Sequence, residues 1–187
     1  SNVKVIAYKN SLPKNVIKNK KKYDFVYIAS DEIYKNHHNL LKAWVRLCLD
    51  KLNPSLCLVL PENSSIKEKV KKLLRKYKDM DILVFDNNNR DEVMKSLRLS
   101  KTLIFPSKFE SYGLPIVEAK MNNLKIIASE KDYVRDLVDP EETFDPDSDL
   151  SIYRAVKRFM NKEDKKTEIV RASNFIDYII SKGTLYT

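Results

Sequence analysis

An α/β fold built on a doubly wound parallel sheet is the architecture expected of this 187-residue chain. Three observations lead there. Short β-rich runs alternate with helical patterns along the chain. The runs are almost continuously apolar, as strands covered on both faces must be. No internal repeat or low-complexity linker interrupts the alternation, so one domain accounts for the length.

The expected strands fall at 3–7, 25–29, 56–60, 82–85, 102–105 and 125–128. Between them lie amphipathic helices. Leu40, Leu41, Trp44, Leu47 and Cys48 share one face of the first. Ile66, Val70, Leu73, Leu74 and Tyr77 are spaced 4, 3, 1 and 3 apart, one face of a 3.6-residue helix. Ser65 and Glu68 stand where a capping box would start it. Shorter helices are expected at 91–99 and 114–121, and two more at 150–160 and 168–180. Ligands of such sheets bind where strand ends lead into helix N-termini. The loops after Ala29, Leu60, Phe85, Phe105 and Ala128 are therefore where chemistry is expected.

Composition narrows the choice. Only two glycines occur, Gly113 and Gly183, which excludes G-x-G-x-x-G and Walker loops. Cys48 and Cys57 lie in apolar runs and form no framework, as in a reduced, cytosolic protein. His37 and His38 are too few for a zinc site by themselves. No apolar run reaches the roughly 18 residues of a membrane span. Ser1-Asn2 reads as the remnant of a cleaved tag, with residues 3–187 forming the domain. The net charge of +9 is lopsided: residues 1–90 carry 19 Lys and Arg against 9 Asp and Glu. One basic cluster precedes Asp24, and another runs from Lys67 to Lys78. Such runs are solvated faces or contacts for an anionic lipid surface. Aromatics occupy core-periodic positions rather than interleaving with the lysines, which argues against nucleic acid.

The segment after the strand at 102–105 reads Pro106-Ser107-Lys108-Phe109-Glu110-Ser111-Tyr112-Gly113-Leu114-Pro115. Gly113 falls in a turn before a helix, and Pro115 suits a first helical position. The amides of Tyr112, Gly113 and Leu114 would point out of the helix N-terminus, where the dipole favours an anion such as a diphosphate. Gly113 would let the backbone approach it closely. Glu110 and Glu118 flank that position, eight residues apart. Carboxylates beside a phosphate serve poorly as its ligands because like charges repel. They suit sugar hydroxyls on either side of it.

The stretch PSKFESYGLPIVEA resembles the E-x7-E region of the retaining, GT-B-fold glycosyltransferases of family 4. YKNHHNLLKAWVRL (34–47), KIIAS (125–129) and FDPDSDLSIYRAV (144–156) resemble further stretches of that family in the same order. The resemblance implies a Rossmann-like, carboxyl-terminal lobe that holds a nucleotide-sugar donor, with an acceptor-binding domain outside these residues. It implies that Lys35 pairs with the donor diphosphate and Glu118 with the ribose hydroxyls. Glu110 would contact the transferred sugar near its reacting carbon, and the amides of Tyr112, Gly113 and Leu114 would hold the distal phosphate. No metal or other cofactor is implied, and Asp145-Pro146-Asp147 belongs to the ordinary FDPDS segment. The implied acceptor is a glycan or lipid-linked precursor, handled in the cytoplasm or at the inner face of a membrane. Three positions depart from the family. Ala29-Ser30 replace a frequent Gly-Arg, Asn123 replaces a Gly, and Leu60-Pro61-Glu62 replace a Gly-containing turn. One phosphate-facing cation is thereby lost. Base choice is expected to depend on the loop 86–90. A sugar-nucleotide epimerase of the same architecture, or a basic binding module, are the alternatives.

Overall fold

The computed structural model describes residues 20–87 and 89–162. Six strands, β1 (Tyr23–Ile28), β2 (Leu56–Leu60), β3 (Ile82–Asp86), β4 (Ser100–Phe105), β5 (Lys125–Ser129) and β6 (Glu142–Phe144), form one parallel sheet in the order β3-β2-β1-β4-β5-β6. The helices are α1 (His37–Leu49), α2 (Ile66–Lys76), α3 (Arg90–Leu99), α4 (Leu114–Met121), α5 (Asp132–Arg135) and α6 (Asp149–Phe159). The expected strand at 3–7 and helix at 168–180 lie outside the described residues. The sixth strand, β6, was not anticipated, because three residues carry no readable periodicity. Neither was the four-residue α5.

The chain runs outward from β1 to β3, crosses back through α3, and runs outward again from β4 to β6. Right-handed crossovers therefore put α1 and α2 on one face and α3 and α4 on the other. The direction reverses between β1 and β4, with Phe25 in register with both Leu56 and Thr102. The loops after these two strands consequently part to opposite faces, leaving a crevice at their carboxyl ends.

The core follows from the apolar runs. All of β2 is buried, as is most of β4. Trp44 of α1 meets the Phe25 ring edge-on at 5.5 Å and donates its indole N–H to Pro54 O at 3.1 Å. Helix α6 packs along α1, where Phe159 also meets Phe25 at 5.7 Å. The strand β3 departs furthest from burial on both faces. It is an edge strand, and Leu83 and Phe85 remain partly exposed on it.

Candidate functional site

The crevice between β1 and β4 is built by a buried polar frame. Tyr27, near the end of β1, is fully buried and donates its hydroxyl to Lys35 O at 2.7 Å. The same hydroxyl lies 3.3 Å from Ser107 Oγ, and burial pushes its pKa far above the usual phenol range. Asn36 adopts a left-handed conformation, φ 62°, which Asn tolerates better than most residues. Its side-chain amide donates to Pro106 O at 3.0 Å and Pro146 O at 2.7 Å. Lys108 N donates to Tyr34 O at 2.8 Å. The loops after β1, β4 and β6 are thus tied together around one asparagine.

His37 Nε2 lies 2.7 Å from Ser30 O. A carbonyl can only accept, so Nε2 carries a proton; Nδ1 is buried and has no partner among the described residues. Burial depresses the imidazole's pKa, favouring this neutral form.

Lys35 and Glu110, 75 positions apart in sequence, meet in this frame with Nζ 2.5 Å from Oε1. Their side chains are only 14% and 11% exposed. Ser107 Oγ donates to the same carboxylate oxygen at 3.0 Å, and Tyr133 OH donates to Ser107 O at 2.7 Å. Lys35 also sits 5.2 Å from the centroid of the Tyr34 ring, which meets Phe109 edge-on.

Beside this pair begins α4. Gly113 precedes it at φ +59°, and a Cβ there would stand 2.7 Å from Leu137 Cδ1. The glycine therefore answers first to its backbone angle and to Leu137, rather than only to close approach of a ligand. Pro115 is the second helical residue and not the first, because the helix starts directly on the left-handed Gly113. Its missing N–H still costs nothing, since all four initial amides lack helical acceptors. Gly113 O accepts from Ile116 N at 2.9 Å, whereas the amides of Tyr112, Gly113 and Leu114 have no acceptor among the described residues.

Glu118, one turn into α4, is 12% exposed and paired with Arg90, whose Nη1 lies 2.6 Å from Oε1. Arg90 is the first residue of α3, fixed there by Asn89, which accepts from Glu92 N at 2.8 Å. The sequence marked Arg90 only as the end of the loop 86–90. Nothing in its local pattern pointed to Glu118.

Three other helix N-termini, those of α2, α3 and α6, are closed. The expected capping box of Ser65 and Glu68 does not form; Glu68 pairs with Lys71 instead. Asp31, from the loop after β1, takes the amide and hydroxyl of Ser65 and the hydroxyl of Ser64. These hydrogen bonds outweigh desolvation, which acts the other way, and lower the Asp31 pKa. Asn89 closes α3, and Ser148 closes α6 by accepting from Ser151 N at 3.1 Å. Each of these three helices carries an acid in its first turn. Helices α1 and α4 have neither a side-chain cap nor an acid there, and each starts from a left-handed residue. Both follow the strands that border the crevice.

At Ser30, where the resemblance placed a missing cation, the hydroxyl donates to Glu32. No cluster of three or more His, Cys, Asp or Glu side chains suited to a metal occurs among the described residues. Asp147 pairs with Lys108 at 2.5 Å, while Asp145 accepts from Asp147 N, so those two carboxylates are engaged separately.

A Rossmann-like sheet with two unsealed helix ends at its reversal point is a ligand-binding α/β lobe in form. Residues 9–174 match the family described as "Glycosyl transferases group 1", and the chain belongs to that family. No curated protein matches it in sequence. Among solved structures, sucrose-phosphate synthase from Thermosynechococcus elongatus is similar at 16% identity and TM-score 0.61, over 75% of this chain and 37% of that one. The catalytic domain of cholesterol-α-glucosyltransferase from Helicobacter pylori gives 17% and 0.59, over 74% of this chain and 86% of that one. TarM gives 17% and 0.60, over 80% and 30%. The fold is that of GT-B glycosyltransferases, and the chain spans about a third of the length of two of these three.

Proposed function

We propose that this chain is the nucleotide-sugar-binding domain of a retaining glycosyltransferase of the E-x7-E type, working with an acceptor-binding domain outside these residues. One observation carries the reading. The unsealed N-terminus of α4 lies in sequence between two paired acids, Glu110 held by Lys35 and Glu118 held by Arg90.

The chemistry follows from that arrangement. A donor diphosphate placed on the amides of Tyr112, Gly113 and Leu114 gains both their hydrogen bonds and the helix dipole. Lys35 turns from Glu110 to the phosphates, where an ammonium stabilises the charge that develops on the leaving diphosphate. Glu110 is then free to accept from hydroxyls of the transferred sugar, and Glu118 from those of the ribose. The loop 86–90 faces the base. These cations and dipoles act on the leaving group directly, and we assign the domain no cofactor. The acceptor we favour is a lipid-linked or surface-polysaccharide precursor, handled at the cytoplasmic side of a membrane. Lys69, Lys72, Arg75 and Lys76 form an exposed basic stripe on α2 suited to anionic lipid. Co-sedimentation that does not change with anionic lipid content would remove that last point.

The test is calorimetric titration of the chain with UDP, GDP and their sugars. Binding of one nucleotide, lost in Glu118→Ala, is expected. Absence of heat with every nucleotide would end the reading.

A further inference from the structure

We propose that Arg90 is a diphosphate-binding residue of this site, supplying the second cation that the loop after β1 lacks. The inference rests on the donor-site reading above and assigns one more group within it.

Charge comes first. Lys35 pairs with Glu110, just before the α4 N-terminus in sequence, and Arg90 with Glu118, one turn into α4, so these four side chains sum to zero. A nucleoside-diphosphate sugar brings about two negative charges, next to two carboxylates that are both nearly buried. Lys35 and the helix dipole answer only part of that charge. Loop 29–36 contributes no second base, since Ser30, Asp31 and Glu32 stand there and the hydroxyl of Ser30 is spent on Glu32.

Placement favours Arg90 as the missing partner. Glu118 lies only about one turn, or roughly 5 Å, beyond the first helical amides, and helical side chains lean toward the N-terminus. A guanidinium on Glu118 is therefore drawn toward that end of the helix, and its five donors suffice for the carboxylate and an anion together. The local choice is otherwise a poor one. A cation at the first position of a helix faces the positive pole of the dipole. With its own side chain 67% exposed, Arg90 leaves most of its length in solvent rather than packed against the fold. A sequence that accepts both drawbacks places the residue for something other than the fold.

The test compares nucleoside with nucleoside diphosphate, uridine against UDP and guanosine against GDP, by calorimetry and ligand-observed NMR. Arg90→Gln is expected to lose about tenfold or more in diphosphate affinity while nucleoside affinity is unchanged. Arg90→Lys should recover part of the loss, because it keeps the charge without the fork. Both substitutions keep a donor for the nearly buried Glu118, so both variants are expected to stay folded, and circular dichroism checks this. Equal losses for nucleoside and diphosphate would mean that Arg90 only holds Glu118 in place, which overturns the proposal. Tighter binding in Arg90→Gln would make the pair a latch and overturn it equally. If wild-type protein binds UDP or GDP and Arg90→Gln binds the same nucleotide as well, the proposal alone fails. If wild-type protein binds neither, the donor-site reading fails with it.

Discussion

At the start of α2 a carboxylate of the protein already occupies the helix end, with Asp31 receiving the amide and hydroxyl of Ser65. At the start of α4 the amides of Tyr112, Gly113 and Leu114 have no acceptor among the described residues, and no acid stands in the first turn. Both helices follow parallel strands at the same edge of the sheet. The difference is their distance from the reversal between β1 and β4. A helix end that serves only the fold is closed by an internal acceptor, here a carboxylate. On the proposed reading, one that borders the crevice is left for an anion from outside, with its counter-charges held as ion pairs.

Substitutions at the two ends should separate these roles. The largest effect is expected from Lys35→Ala, which strands the nearly buried Glu110 without a partner. About 3 kcal/mol of stability should be lost, as for other broken buried pairs. Lys35→Ala with Glu110→Gln should recover most of it, while nucleotide affinity stays low in both. Urea denaturation beside titration would show this. At the closed end, Asp31→Ala should cost about 1–2 kcal/mol, the range for a lost helix cap, with nucleotide affinity unchanged. A drop in affinity there would erase the distinction between the two helix ends. Gly113→Ala, at φ +59° and against Leu137, should cost about 1 kcal/mol and weaken nucleotide binding as well.

The smallest effect concerns His37. Its folded pKa lies below the ordinary 6.5, so its contribution to stability is complete above that pH and is lost as pH falls through the folded value. The slope cannot exceed about 1.4 kcal/mol per pH unit for one proton. The urea midpoint should fall on the acid side of 6.5, and His37→Gln, which can still donate to Ser30 O, should flatten that limb.

Much of this was legible in the sequence, for reasons that can be named. Continuous apolar runs gave β2 residue for residue, and the Gly-x-Pro turn gave both ends of α4. Glu110, Gly113 and Glu118 could be read because they share one short segment with a local logic. The partner of each acid could not. Lys35 reaches Glu110 across 75 positions, and Arg90 reaches Glu118 from another helix. Asn36 lies within the segment 34–47, but its role could not be read there, since it consists in binding Pro106 and Pro146, which local pattern does not bring near it. The capping box at Ser65 failed for the same reason. A local rule lost to Asp31, a competitor supplied by tertiary structure.

On the proposed reading, α4 presents an anion site and α2 does not. Backbone amide shifts followed by NMR during titration with UDP and with GDP test it most directly. The amides of Tyr112, Gly113 and Leu114 should move in step with one of the two nucleotides, while those of Ser65 and Ile66 stay fixed. Movement at Ser65 and Ile66 instead, or at neither end, would contradict it.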